Sequence, residues 1–302
     1  MKKEITTKKE AWLHAVRLRT LPLALASILA GSFLAKWQDA FRWEILLLAS
    51  LTTIFLQILS NLSNDYGDTV HGADSADRQG PVRAVQSGII SLAEMKKAMY
   101  LFGILSLVSG LLLIYLALDD WKLLLVFLGI GIAAIWAAIT YTSGSKPYGY
   151  AGLGDISVFV FFGLTGVLGT YFLHTLSFEP LATLIAISLG SFSTAVLNIN
   201  NIRDIESDEK AGKRSIPVRI GRKKAVFYNW TLIGIGYLTL IIFVLISKNH
   251  FSLLAVLAGV LMLKVGFGVQ NAKSSKATDP FLKKMAISTL LWTLLFGIGL
   301  LI

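Results

Sequence analysis

Nine stretches of the chain read as nearly unbroken apolar runs, each separated from the next by a polar segment. They cover residues 21–37, 44–63, 97–118, 123–141, 153–174, 181–200, 226–247, 251–271 and 285–302. A membrane-spanning helix needs about 20 mostly apolar residues. The pattern therefore predicts an all-α, polytopic membrane protein: nine transmembrane helices in a bundle, forming a single domain over residues 1–302. The first run has the basic flank of a signal peptide, but eight further runs follow it, and it is counted as a span.

Composition agrees with this division. Hydrophobic residues make up 55% of the chain and charged residues 15%, yet the net charge is +10. A soluble domain this apolar could not cover its surface, and a disordered chain would be more polar. Charges gathered in loops on one side of a membrane resolve the conflict. With the N-terminus placed inside, 23 of the 28 Lys and Arg fall on the inner side. Only Lys36, Arg42, Lys122 and Lys248 fall on the other, and Lys264 lies within a span. The positive-inside rule then places the N-terminus in the cytoplasm and the C-terminus outside. The basic excess is a topology signal rather than a nucleic-acid footprint, because no basic segment lies outside the membrane loops. The absence of Cys excludes disulfides, cysteine–zinc sites and cysteine nucleophiles.

The two long loops, about 64–96 and 201–225, are both cytoplasmic in this topology, and each opens with amides and carboxylates. In the first, Gln57, Asn61, Asn64 and Asp68 are spaced to share one helix face if the helix continues. Asn198, Asn201, Asp204 and Asp208 do the same in the second. Asn64 and Asp68 recur as Asn200 and Asp204 at an offset of 136, which also carries the first span onto the fifth and the second onto the sixth. An internal repeat of this kind brings the two polar ends together.

Carboxylates side by side repel, and divalent cations relieve the repulsion. Asp carboxylates and Asn carbonyls are hard oxygen ligands suited to Mg²⁺, which keeps waters and takes other ligands from substrate phosphates. Nearby Arg78, Lys146, Lys213 and Arg214 suit phosphate oxygens that the metal does not reach. The residues thus point to a Mg²⁺-bound diphosphate at the mouth of a helix bundle, with room for a lipid tail beneath. His14, His71, His174 and His250 have no paired spacing, which argues against a histidine metal site. Asp155 opens the fifth span, where a carboxylate suits a helix N-terminus.

Four stretches carry a resemblance over nearly the whole chain. They are Arg17-Leu-Arg19-Thr20-Leu-Pro22, the Asn64-Asp65-x-x-Asp68 run with its Gly72-x-Asp74 ending, the segment from Tyr141 through Lys146-Pro147-Tyr148-Gly-Tyr150 to Asp155, and Asn200-Asn201-x-Arg203-Asp204-x-x-x-Asp208 ending in Gly212-Lys213. Together they resemble the UbiA-type intramembrane prenyltransferases, and within them most closely the subgroup acting on 1,4-dihydroxy-2-naphthoate. The superfamily's Asn-x-x-x-Asp-x-x-x-Asp form is broken here by Gly72, and its third role is assigned to Asp74.

The resemblance implies transfer of a polyprenyl group from its diphosphate to the hydroxynaphthoate, with loss of CO₂ and diphosphate, giving demethylmenaquinol for menaquinone synthesis. It implies two Mg²⁺ ions held by Asp68, Asp74, Asp204 and Asp208, with Asp65 either a ligand or an orienting group and Asn64 and Asn201 completing the site. Lys146, Lys213 and Arg78 are candidate diphosphate contacts. Tyr141 is a candidate electron-rich wall for the allylic cation, and Arg19 or Lys146 for holding the acceptor's carboxylate. The implied location is a bacterial cytoplasmic membrane, with the site facing the cytoplasm. One rival is an enzyme for another acceptor, such as 4-hydroxybenzoate or a tetrapyrrole. The other is an ion-coupled secondary transporter, whose carboxylates belong near the midplane.

Overall fold

The apolar runs fold as helices, and local signals set their starts. The computed structural model describes residues 7–72 and 84–302. A short helix α1 (Lys8–Val16), capped by the Thr7 side chain, leads through a 3₁₀ turn (Leu18–Thr20) into α2 (Leu21–Trp37). Then follow α3 (Trp43–Val70), α4 (Leu92–Ala117) and α5 (Trp121–Thr140). Ser91 and Glu94 form a capping box on α4, and Asp120 caps α5, satisfying N–H groups a helix start leaves unpaired. The second half comprises α6 (Gly154–Thr175), α7 (Pro180–Arg203), α8 (Ile205–Lys210), α9 (Ile216–Ser247), α10 (His250–Asn271) and α11 (Ser275–Leu301). Among the described residues, nine helical segments are long and apolar enough to cross a membrane.

Several helices overrun the apolar runs that predicted them. α3 continues to Val70, α9 begins at Ile216 and α11 at Ser275. Hydropathy marks only the part of a helix that sits in lipid, whereas backbone hydrogen bonding continues until a stop signal. For α3 that signal is Gly72, at φ +70°. α9 bends at Gly221, whose φ of 77° and ψ of 159° lie outside the helical range.

The core is centred on α7. Its residues Ala182, Ile185, Ala186, Leu189, Phe192, Ala195 and Ile199 are buried against α2, α6, α9 and α11. A methyl group on Gly163 of α6 would lie 2.6 Å from the Ala186 carbonyl oxygen, so glycine is what permits this close helix approach. Ser188 adds a polar tie, donating to the Gly236 carbonyl of α9 at 2.8 Å. α5 differs from α7: it packs on α3 and α4, and most of its surface stays outside the core. Large apolar side chains on α4, α5 and α9, including Tyr115, Val126 and Leu245, are exposed and suit contact with acyl chains.

The 136-residue offset has a structural counterpart. It carries α3 onto residues 179–206, where α7 occupies Pro180–Arg203. Both helices deliver their polar C-terminal turns to the same end of the bundle.

Candidate functional site

A cavity of about 1130 Å³ descends from that end into the bundle. Its mouth is lined by Arg17, Arg19, Asn61, Asn64, Asp65 and Asp68 from the first half, and by Asn200, Asn201, Arg203, Asp204, Asp208 and Lys213 from the second. Below, Phe127 of α5 and Phe161, Leu164, Leu168 and Phe172 of α6 make an apolar wall. The far end reaches Ile114 and Phe178, near the opposite helix ends. Over Phe159–Gly169 α6 is wound as a π-helix, a form that recurs at functional sites.

The first polar face forms as its spacing predicts. α3 stays helical through Val70, and Gln57, Asn61, Asn64 and Asp68 all line the cavity. Gly67 lets the loop after α5 press against this turn, since a Cβ there would lie 2.4 Å from the Thr142 carbonyl oxygen. The Thr142 hydroxyl in turn lies 3.1 Å from Asn64 Oδ1, which fixes the amide's orientation. Asp68 is 2% exposed and accepts from the Tyr150 hydroxyl at 2.7 Å. Asp65, expected among the metal ligands or their orienting groups, is joined to Arg17 at 2.5 Å, and that pair ties α3 to the α1–α2 joint.

The second face is built differently. α7 stops at Arg203, Asp204 leaves the helical region at φ −101° and ψ 11°, and α8 resumes the chain. The single continuous face expected across 198–208 is therefore broken at its third member. Asn198 turns away from the cavity, donating to the Ala225 carbonyl at 3.0 Å and approaching Asn229 at 3.3 Å. The break redirects the chain, and Asn201, Asp204 and Asp208 still line the mouth. Lys213 Nζ, on the loop after α8, lies 2.7 Å from Asp68 Oδ1 and 3.7 Å from Asp208 Oδ1.

Tyr141 caps α5 and lines the cavity. Its hydroxyl would lie 2.7 Å from a Cβ on Gly154, and its ring meets Tyr148 edge-on at 5.4 Å. Tyr141 presents a neutral phenol ring to the cavity. Lys146, expected at the diphosphate or the acceptor carboxylate, is exposed and is not among the lining residues. Asp74 and Arg78 lie outside the described residues.

Sequence reasoning gave no role to four residues that the geometry makes prominent. Arg17 engages Asp65. Tyr150 holds Asp68 and carries Lys213 over its ring at 4.7 Å. Arg203 grips Asp204 through two nitrogens at 2.8 and 2.6 Å. Asp279, at the start of α11, accepts from Arg203 at 2.6 Å. Arg17, Tyr150 and Arg203 sit inside the quoted motifs, so position alone flagged them. Asp279 lies in none, and no local pattern marks it.

The donor set at the mouth suits Mg²⁺. Asp68, Asp204 and Asp208 supply hard oxygens, with Asn64 and Asn201 beside them at one cavity mouth. One ammonium, Lys213, bridges Asp68 and Asp208, marking a point where two carboxylates already share positive charge. Among the described residues no three acidic or histidine side chains converge into a ready cage. Mg²⁺ commonly takes one or two carboxylates and draws other ligands from water and substrate phosphates.

The model of the UbiA prenyltransferase family matches residues 24–298. The chain is 46% identical to the 1,4-dihydroxy-2-naphthoate octaprenyltransferase of Haemophilus influenzae, covering 100% of this chain and 99% of that one. It is 42% identical to the Escherichia coli protein of the same name, covering 99% and 98%, and 35% identical to the Mycobacterium tuberculosis one, covering 94% of each. In fold it is similar to a UbiA homologue from Archaeoglobus fulgidus bound to DMAPP and Mg²⁺, with a TM-score of 0.68 at 17% identity over 96% of this chain and 98% of that one. A UbiA homologue from Aeropyrum pernix gives a TM-score of 0.69 at 16% identity, over 94% and 98%.

Proposed function

The chain belongs to the UbiA prenyltransferase family, and from that membership we infer that it transfers a polyprenyl group from polyprenyl diphosphate to 1,4-dihydroxy-2-naphthoate. CO₂ and diphosphate leave, and the product is demethylmenaquinol, a step of menaquinone synthesis. The observation that carries this reading is the union of two carboxylate-bearing helix ends at the mouth of one long apolar cavity, in a chain aligned end to end with naphthoate-prenylating relatives. A charged diphosphate head suits the mouth and a polyprenyl tail suits the body. The carboxylates cluster at one end of the bundle, which disfavours the transporter reading with its midplane sites.

We assign Asp68, Asp204 and Asp208 to holding Mg²⁺, two ions in this reading, with Asn64 and Asn201 alongside. Asp74 and Arg78 keep their proposed roles as ligand and diphosphate contact. When bound, Mg²⁺ would supply positive charge to the diphosphate oxygens. Lys213 already lies between the carboxylates and adds its ammonium to the same oxygens as the allylic C–O bond breaks and its electron pair departs with diphosphate. Tyr141 offers a π face to the allylic cation. The electron-rich acceptor ring attacks that cation, and cleavage of its carboxylate carbon bond returns the electron pair to the ring as CO₂ leaves.

Arg19 is our choice for holding the carboxylate beforehand, because it lines the mouth whereas Lys146 does not. Lys146 fits a charge that sets topology. Asp65 serves through Arg17, fixing α1 against α3. The protein is an integral membrane protein of the bacterial inner membrane, and the basic loops argue that its site faces the cytoplasm.

The direct test supplies membranes containing the protein with polyprenyl diphosphate and either 1,4-dihydroxy-2-naphthoate or 4-hydroxybenzoate. Product mass reports acceptor, chain length and decarboxylation together. A prenylated hydroxybenzoate as sole product would overturn the acceptor assignment.

A further inference from the structure

Arg203 uses all three guanidinium nitrogens at the cavity mouth. Nε and Nη2 donate to the two oxygens of Asp204 at 2.8 and 2.6 Å, and Nη2 also donates to Asn200 Oδ1 at 2.8 Å. Nη1 donates to Asp279 Oδ1 at 2.6 Å. The Arg203 side chain is 2% exposed, whereas that of Asp279 is 31% exposed.

A buried guanidinium is stable only beside an anion, and stripping away its partner is strongly destabilising. This creates a conflict at Asp204. Its two oxygens are occupied by Arg203, yet the reading above asks them to serve a divalent cation. If Asp204 were the sole anion beside Arg203, turning it toward a metal would strand a buried positive charge. Asp279 removes that conflict. It comes from α11, outside both carboxylate motifs, and its second oxygen lies 3.9 Å from Arg19 Nη1.

We propose that Asp279 is a positioning residue, the standing counter-charge that retains Arg203 when Asp204 turns its oxygens to a divalent cation. The inference rests on Asp204 serving the metal. Without the Asp279 charge, Arg203 holds Asp204 more tightly and metal binding weakens.

Mn²⁺ binding to the purified full chain in lipid nanodiscs, read from the loss of the hydrated-ion EPR signal, tests this without any turnover. Asp279→Asn should weaken Mn²⁺ binding by at least about tenfold, the scale of one charge-assisted hydrogen bond. Asp279→Glu should stay within about twofold of wild type. Removing the competitor as well, in Asp279→Asn with Arg203→Gln, should restore affinity toward wild type. An Asp279→Asn variant that binds as wild type, or a double variant as weak as Asp279→Asn alone, would overturn the proposal. If Asp279→Asn fails to fold, Arg203→Gln alone and with Asp279→Asn still decides it. With no guanidinium to hold, the two must bind Mn²⁺ equally, and unequal binding refutes the idea. Asp204→Asn separates the underlying reading, since unchanged Mn²⁺ binding there means that Asp204 is no ligand.

Discussion

Lys213 Nζ lies 2.7 Å from Oδ1 of Asp68, joining the loop that follows the second carboxylate motif to the helix that carries the first. The same ammonium faces Asp208 and the Tyr150 ring. Replacing Lys213 with Ala removes a charge aimed where the leaving oxygens develop theirs. The expected loss in kcat/KM is about 100-fold or more, measured as prenyl transfer in membranes, with Lys213→Arg retaining more activity than Lys213→Ala.

Divalent-cation removal should abolish turnover. Chelation by EDTA is expected to stop prenyl transfer in membranes, and Mg²⁺ to restore it, because the proposed site is built of hard oxygen donors. Asp68→Ala and Asp208→Ala should each lose activity at saturating Mg²⁺. Full activity in both variants would sink the metal assignment.

Tyr150→Phe separates ring from hydroxyl. The ring under Lys213 remains, and the 2.7 Å hydrogen bond to Asp68 is lost. A hydrogen bond to a charged group contributes about 1.5–3 kcal/mol, so the variant should lose about tenfold or more in kcat/KM. Tyr150→Ala, which also removes the ring, should lose more.

Gly67→Ala tests packing instead of chemistry. Its methyl group would meet the Thr142 carbonyl at 2.4 Å, and that contact is backbone, which cannot swing aside. The expected cost is about 1–3 kcal/mol, seen as a lower thermal midpoint of the purified protein together with reduced activity.

Arg19→Ala and Lys146→Ala distinguish the two candidates for the acceptor carboxylate. Arg19→Ala should raise KM for 1,4-dihydroxy-2-naphthoate by about tenfold, the scale of one lost charged contact. Lys146→Ala should change it much less, because Lys146 is exposed outside the cavity. The opposite order would return the carboxylate to Lys146.

By itself, the sequence determined the helices and the pairing of the two motifs. Apolar runs near the bilayer's thickness leave few alternatives to spanning helices, because backbone groups in lipid must be satisfied within the segment. A repeat at an offset of 136 sends Asn64, Asp68, Asn200 and Asp204 to one end of the bundle whatever the packing details. Tertiary structure alone decided how each side chain is used. Periodicity assumed an unbroken helix through 198–208, whereas the chain turns at Asp204 and spends Asn198 on α9. It could not separate Arg19, in the cavity wall, from Lys146, outside it. Nor could it bring Asp279 to Arg203 across 76 residues. Spacing along a helix fixes which residues share a face, but which charge meets which depends on how separate helices pack. That packing is set by small residues such as Gly67 and Gly163, whose meaning appears only once the neighbouring backbone is in place.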